Sequence, residues 1–147
     1  MLIGEYKHTI DLKGRLFMPA KFRDDLGEKF VISRGTARML FVFSQESWAN
    51  YLSVLRERAI GDYEMVAFIR LLQSSASECE TDKQGRFVLN TRLRNLAGVE
   101  NDAVFIGNGN KVEIWNTQDW EKYKTENESI SSKKFEEIAY KAELIGI

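Results

Sequence analysis

Cysteine, proline and histidine are nearly missing from this 147-residue chain, which has one of each. With Cys79 alone, no internal disulfide can form, which suits a reducing compartment. His8 and Cys79 cannot complete a zinc site without several carboxylates, and no ligand-spacing motif accompanies them. No metal and no cofactor are therefore expected. Long apolar runs are also missing. The longest strongly apolar stretch, Met39 to Phe43, is far too short to cross a bilayer. The first residues, MLIGEYKHTIDLKGR, lack the apolar core of a secretory signal. A cytoplasmic protein with no membrane partner is the expectation. Nor is there an excess of one charge: 21 Lys and Arg face 22 Asp and Glu. A strongly basic chain would point directly at nucleic acid. Here any nucleic-acid surface has to be a local patch, multiplied by oligomerisation.

What the chain has is a second copy of itself. Asp11-Leu-Lys-Gly-Arg15-Leu-Phe-Met matches Asp82-Lys-Gln-Gly-Arg86-Phe-Val-Leu, 71 residues on. Ala20-Lys-Phe-Arg23 falls opposite Thr91-Arg-Leu-Arg94, and Gly27 opposite Gly98. Further along, Leu40–Tyr51 aligns with Val112–Tyr123 at an offset of 72, keeping Trp48/Trp120 and Tyr51/Tyr123. One inserted residue explains the change of offset. Two blocks in the same order argue for an internal duplication, with halves 1–76 and 77–147 packed about a pseudo-two-fold axis.

Each half reads in the same order, which gives an α+β chain. Strands are predicted at Leu2–Ile10 and Ser77–Thr81, and again at Arg15–Met18 and Arg86–Leu89. Between them lies a D-x-x-G-R turn: Asp suits the first position of a type I turn and Gly the fourth. The lone Pro19 suits the first turn of a short helix ending at Leu26, with Gly27 as its stop. Strands follow near Lys29–Ser33 and Met39–Phe43, matched by Ala103–Gly107 and Lys111–Trp115. The spacing of Trp48, Tyr51, Leu52, Leu55 and Ala59 predicts a helix with one buried stripe, capped by Ser44. Asn116 or Thr117 caps the matching helix. Met65, Phe68, Ile69 and Leu72 form the apolar face of another helix. In the tail, residues 126–132 read as a loop, and Phe135, Ile138, Ala139 and Ala142 as a final helical stripe.

The turns carry the candidate chemistry. In one copy, Asp would only hydrogen-bond its own backbone, and Arg would only cover strand surface. A turn needs Asp and Gly but has no need of Arg, yet both copies keep it. A carboxylate across the turn can hold the guanidinium fork and lower the entropy lost when it grips a partner. Such a fork suits a phosphate or the O6 and N7 edge of guanine. Lys13 and Lys83 sit beside the arginines, and Lys21, Arg23, Arg92 and Arg94 follow on the short helices. Positive charge thus gathers at matching places in a neutral chain. The rival motifs are weaker. Gly107 to Asn110 lacks the Lys-Ser/Thr ending of a phosphate loop and reads as a hairpin turn. His8 and Cys79 read as strand residues, and the aromatic residues as core. The spacing of His8, Cys79 and the scattered acids supports no catalytic mechanism, so no enzyme is expected. No small-molecule site is evident.

The duplicated D-x-K-G-R and D-x-x-G-R turns, LFMPAKFR after the first, and the spaced W..Y blocks resemble the MraZ family over nearly the whole chain. That resemblance implies bacterial transcription regulators built from two AbrB-like swapped-hairpin halves. It implies a small β-barrel core flanked by helices, assembly into rings, and nucleoid association. It also implies binding to repeated promoter sequences in double-stranded DNA upstream of the cell-division and cell-wall gene cluster. Asp11, Lys13, Arg15, Asp82, Lys83 and Arg86 are the expected DNA-binding residues, of which Lys83 stands on the charge reading of the turn. Gln84 stands opposite Lys13, and Asn90 opposite Pro19, where the pattern has Pro. AbrB-like halves also occur in modules that hold another protein, so a protein-binding scaffold or antitoxin-like module is the alternative.

Overall fold

The computed structural model describes residues 1–128 and 132–145. Its fold is α+β. The first copy runs β1 (Leu2–Thr9), β2 (Arg15–Phe17), α1 (Ala20–Leu26), β3 (Lys29–Arg34), β4 (Leu40–Ser44), α2 (Gln45–Arg58) and α3 (Tyr63–Ser75). The second runs β5 (Ser77–Glu80), β6 (Arg86–Val88), α4 (Thr91–Ala97), β7 (Asp102–Gly109), β8 (Val112–Asn116), α5 (Thr117–Glu128) and α6 (Ser132–Leu144). The chain divides into two compact units, residues 1–116 and 117–147.

Within the first unit, six strands form one antiparallel sheet in the order β1-β7-β8-β4-β3-β5. This order is a palindrome under the duplication, because β1 corresponds to β5, β7 to β3 and β8 to β4. The pseudo-two-fold expected from the repeat thus passes between β8 and β4. The remaining strands, β2 and β6, pair only with each other. The expected closure into a barrel is not seen: no sheet among the described residues returns on itself. Strand length gives a reason. β5 has four residues against eight in β1, and both edges run straight into the turn that leads to the ribbon. The ribbon, rather than a sixth ladder closing the sheet, covers the core there. Leu16, Met18, Phe87 and Leu89 are buried in one cluster with Phe22, Phe30 and Phe105. Phe87 meets Phe30 and Phe105 edge-to-face, at 5.4 and 6.2 Å between ring centroids.

Local chemistry explains the helices. Ser44 caps α2 as expected, its hydroxyl accepting from the Ser47 N–H at 3.1 Å. Leu52 and Ala59 are buried, and Tyr51 stacks on Phe43 at 4.9 Å. Asp62 caps α3 through the Met65 N–H, and Ile69 and Leu72 are buried, while Phe68 of the predicted apolar face is exposed. Pro19 is the N-cap of α1 rather than its first helical residue. Asn90, opposite it, caps α4 by accepting from the Leu93 N–H at 2.9 Å. Two chemistries therefore secure equivalent corners: a ring-locked φ in one copy, a side-chain cap in the other.

Two boundaries differ from the sequence reading in ways that matter. β7 continues through Gly109 because Gly107, Asn108 and Gly109 pair with Gly4, Ile3 and Leu2. The turn of the GNGN stretch is thus pushed to its end. Residues 126–128 extend α5 instead of starting a loop. Residues 129–131 of that expected loop lie outside the described residues. The final helix forms where expected, but Phe135 and Ile138 of its stripe are 70% and 54% exposed. In this second unit Trp120 and Tyr123 stack at 5.7 Å.

Candidate nucleic-acid interface

Each D-x-x-G-R segment is a closed turn built around its carboxylate. The Asp11 N–H donates to the Arg15 carbonyl, and the Gly14 N–H to the Asp11 carbonyl, both at 3.0 Å. Gly14 has φ +78°, the left-handed conformation that a side chain would disfavour. Asp11 Oδ1 accepts from the Lys13 and Arg15 N–H groups, each at 2.9 Å. Its Oδ2 accepts from Arg15 Nε at 2.7 Å. The second copy repeats every bond. Asp82 Oδ1 accepts from the Gln84 and Arg86 N–H groups at 2.9 Å, and Oδ2 from Arg86 Nε at 2.9 Å. Gly85 has φ +81°. The Arg15 N–H bond, then the guanidinium and the Lys13 N–H, hold the Asp11 carboxyl below its ordinary range. Arg86 and the Gln84 N–H do the same for Asp82.

These bonds leave the business end of each guanidinium available. Arg15 and Arg86 use Nε, and among the described residues their Nη groups hydrogen-bond to nothing. The register of the ribbon decides where they point. Arg15 pairs with Val88, Leu16 with Phe87, and Phe17 with Arg86. The central pair is buried, so alternation turns the other four residues to the opposite face. Arg15 and Arg86, partly buried with side chains 28% and 24% exposed, therefore lie on one outward face, as diagonal neighbours on the two strands, on the order of 7–8 Å apart. Phe17, 43% exposed, and Val88, 56% exposed, complete that surface.

The turn tips carry one lysine each, at different positions. Lys13 is exposed beside Gly14, whereas Lys83 occupies the position of Leu12, which is fully exposed. All six residues expected at the interface, Asp11, Lys13, Arg15, Asp82, Lys83 and Arg86, are thus in the turns that the ribbon brings together. Phe17, Val88 and Leu12 were not singled out by the sequence reading, which assigned aromatic residues to the core. The available signal was the period of two: Leu16 and Met18 are buried, so Phe17 must face out. Cross-strand bonds tie the tips together, with the Met18 N–H donating to the Gly85 carbonyl and the Leu89 N–H to the Gly14 carbonyl, each at 2.9 Å.

His8 and Cys79 do not form a shared centre. They lie on β1 and β5, at opposite ends of the sheet order. His8 packs edge-on to Phe105 at 5.9 Å, and burial, aided by the charge of Arg23, lowers its pKa. Burial raises that of Cys79, which keeps the thiol protonated and unreactive. Among the described residues no group of three or more His, Cys, Asp or Glu could hold a metal, and no helix is long and apolar enough to cross a membrane.

A duplicated α+β unit whose two matched turns meet on one ribbon defines a tandem-repeat protein, with its distinctive surface at the ribbon. The sequence matches the MraZ protein family, whose description carries the term "antitoxin-like", over residues 1–65 and 72–141. It is 47% identical to "Transcriptional regulator MraZ" of Thermoanaerobacter sp. (strain X514) over 95% of this chain and 94% of that protein. It is 42% identical to the protein of the same name from Acetivibrio thermocellus over the full length of both chains. A third, from Heliobacterium modesticaldum, is 45% identical over 96% of each. The chain belongs to the MraZ family, a family of transcriptional regulators and not of enzymes.

Proposed function

We propose that this chain regulates transcription by binding double-stranded promoter DNA through its two turns. Arg15 and Arg86 read phosphates or guanine edges, Lys13 and Lys83 add phosphate contacts, and Asp11 and Asp82 hold the arginine forks. One observation carries the reading: both partly exposed guanidinium groups, each anchored through Nε with Nη groups to spare, lie on the same outward ribbon face. A two-stranded ribbon fits the DNA major groove, and an Nη pair matches the spacing of O6 and N7 on guanine. Phe17 and Val88 offer apolar contact to thymine methyl groups beside them.

The near-neutral charge of the chain fits a homo-oligomer, a ring in the family's pattern, in which many weak contacts act together. Repeated operator sequences then engage several copies at once, and avidity multiplies the modest affinity of each. The two halves, 1–76 and 77–147, supply one turn each. The family resemblance suggests an operator upstream of the cell-division and cell-wall gene cluster, and a cytoplasmic, nucleoid-associated protein. The test is the Arg15→Ala/Arg86→Ala double variant, titrated against a labelled duplex from the region upstream of its own coding sequence. A loss of about tenfold or more per arginine is expected. Wild-type affinity in a folded double variant ends this reading.

A second reading rests on the antitoxin-like description and on the exposed Phe135 and Ile138 of α6. In it, the chain holds a protein partner. Recovery of a stoichiometric partner together with no retention of the duplex would favour it.

A further inference from the structure

Arg23 and Arg94 are counterparts in the duplication, at the same place on α1 and α4, yet they do different work. Arg23 Nε donates to the Met18 carbonyl at 2.9 Å, and Met18 in turn donates its N–H to the Gly85 carbonyl. The Arg23 guanidinium lies directly on Gly85: a Cβ there would fall 2.4–2.7 Å from Cζ and both Nη atoms. Arg94 is turned away. Its Nε donates to the Val99 carbonyl at 2.9 Å, and its Nη2 to the Glu100 carbonyl. A Cβ on Gly14 would meet only the Leu89 carbonyl, at 3.4 Å.

The cause lies in the connections. Two residues, Gly27 and Glu28, join α1 to β3, whereas four, Gly98 to Asn101, join α4 to β7. Both glycines have positive φ, but Gly27 leaves its helix with ψ 174° whereas Gly98, with ψ 30°, takes the left-handed αL conformation. The longer loop offers its carbonyls to Arg94, while the short one leaves Arg23 free to reach forward over the neighbouring turn.

We infer that Arg23 is a positioning residue for the second turn, Asp82–Arg86, and that through it the two turns are mechanically unequal. This rests on the DNA-binding reading above. Arg23, from the first copy, clamps the turn of the second by an anchored bond on Met18 and contact over Gly85. Among the described residues the first turn has no such clamp. Arg86 is accordingly presented in a more ordered frame than Arg15, and loses less freedom on binding.

The test is a set of double-variant cycles on the full chain, with a labelled duplex from its own upstream region. Arg23→Ala is expected to weaken binding about fivefold to tenfold, an ordinary coupling for touching groups. On an Arg86→Ala background it should add nothing further. On an Arg15→Ala background it should keep its full factor, and Arg94→Ala should bind as wild type. A general loss of structure would hit both backgrounds alike, so equal costs overturn the inference, as does wild-type affinity of a folded Arg23→Ala protein. Should that variant not fold, Arg23→Lys removes the Nε anchor while keeping the charge. It must show the same selectivity, and its wild-type binding overturns the inference. If Arg15→Ala and Arg86→Ala themselves bind like wild type, the DNA-binding reading fails first, and this inference with it.

Discussion

Asp11 and Asp82 each combine two roles that are separable by substitution. Oδ1 organises the turn backbone, and Oδ2 steadies the arginine. An Asn retains an acceptor for the backbone N–H groups but loses the charge. Asp82→Asn is therefore expected to keep the fold and melting temperature nearly unchanged while weakening duplex binding, read by anisotropy. The pH dependence follows from the same bonds. The folded carboxyls sit below their ordinary 3.8, so their contribution is complete above that value and is lost as pH falls through the lowered one. An NMR titration of both carboxyls should find each midpoint below 3.8. His8 acts at higher pH. Its folded pKa is below 6.5, so stability is full above 6.5 and declines as the pH falls through the folded value. Melting curves between pH 8 and 5 (about 1.5 units either side of an ordinary His) should show that decline, and His8→Phe should flatten it. The aspartate–arginine pairing was legible in the sequence because its partners are four residues apart on one turn. The contact of Arg23 with Gly85 was not, because those residues meet only when the two copies pack.

The ribbon β2–β6 has three residues on each strand, too few to persist alone in water. It persists because Leu16 and Phe87 fill the core beneath it. Phe87→Ala is expected to destabilise the protein by about 3–5 kcal/mol, by chemical denaturation. It should also cost duplex affinity, because both arginines ride on that ribbon. At the entrance of α4, Asn90→Ala removes a cap worth about 1 kcal/mol, whereas Pro19→Ala removes no side-chain bond. The two corners therefore fail in different ways. Most elements were visible from periodicity: the α2 stripe, the paired turns and the strands flanking them. The extension of β7 was not, since Gly107–Gly109 read as a turn until β1 pairs with them.

A palindromic sheet makes two matched turns into one surface, and that geometry sets what binding should look like in solution. Each phosphate neutralised by a turn contributes about −0.9 to the slope of log K against log salt. Removing Arg15 and Arg86 together is expected to flatten that slope by about 1.8 if each meets one phosphate. The check is a salt titration of wild type and double variant side by side. If several copies act together, a duplex with two repeats should bind far more tightly than a single repeat, and a half-turn change in spacing should abolish the gain. Native mass measurement on the same complexes reports how many copies are engaged.

Read alone, the chain's residues determined that it is duplicated and α+β, and that an arginine is tied to an aspartate at each turn. Those features depend on neighbours within a few residues, where spacing and turn chemistry suffice. Only the packing of the two copies decided the rest. It left the sheet open, with a ribbon over the core, and set both arginines on one face. It also sent Arg23 and Arg94, alike in sequence, to different carbonyls. Long-range register and loop length govern these outcomes, because a side chain bonds whatever acceptor the folded backbone brings within its reach.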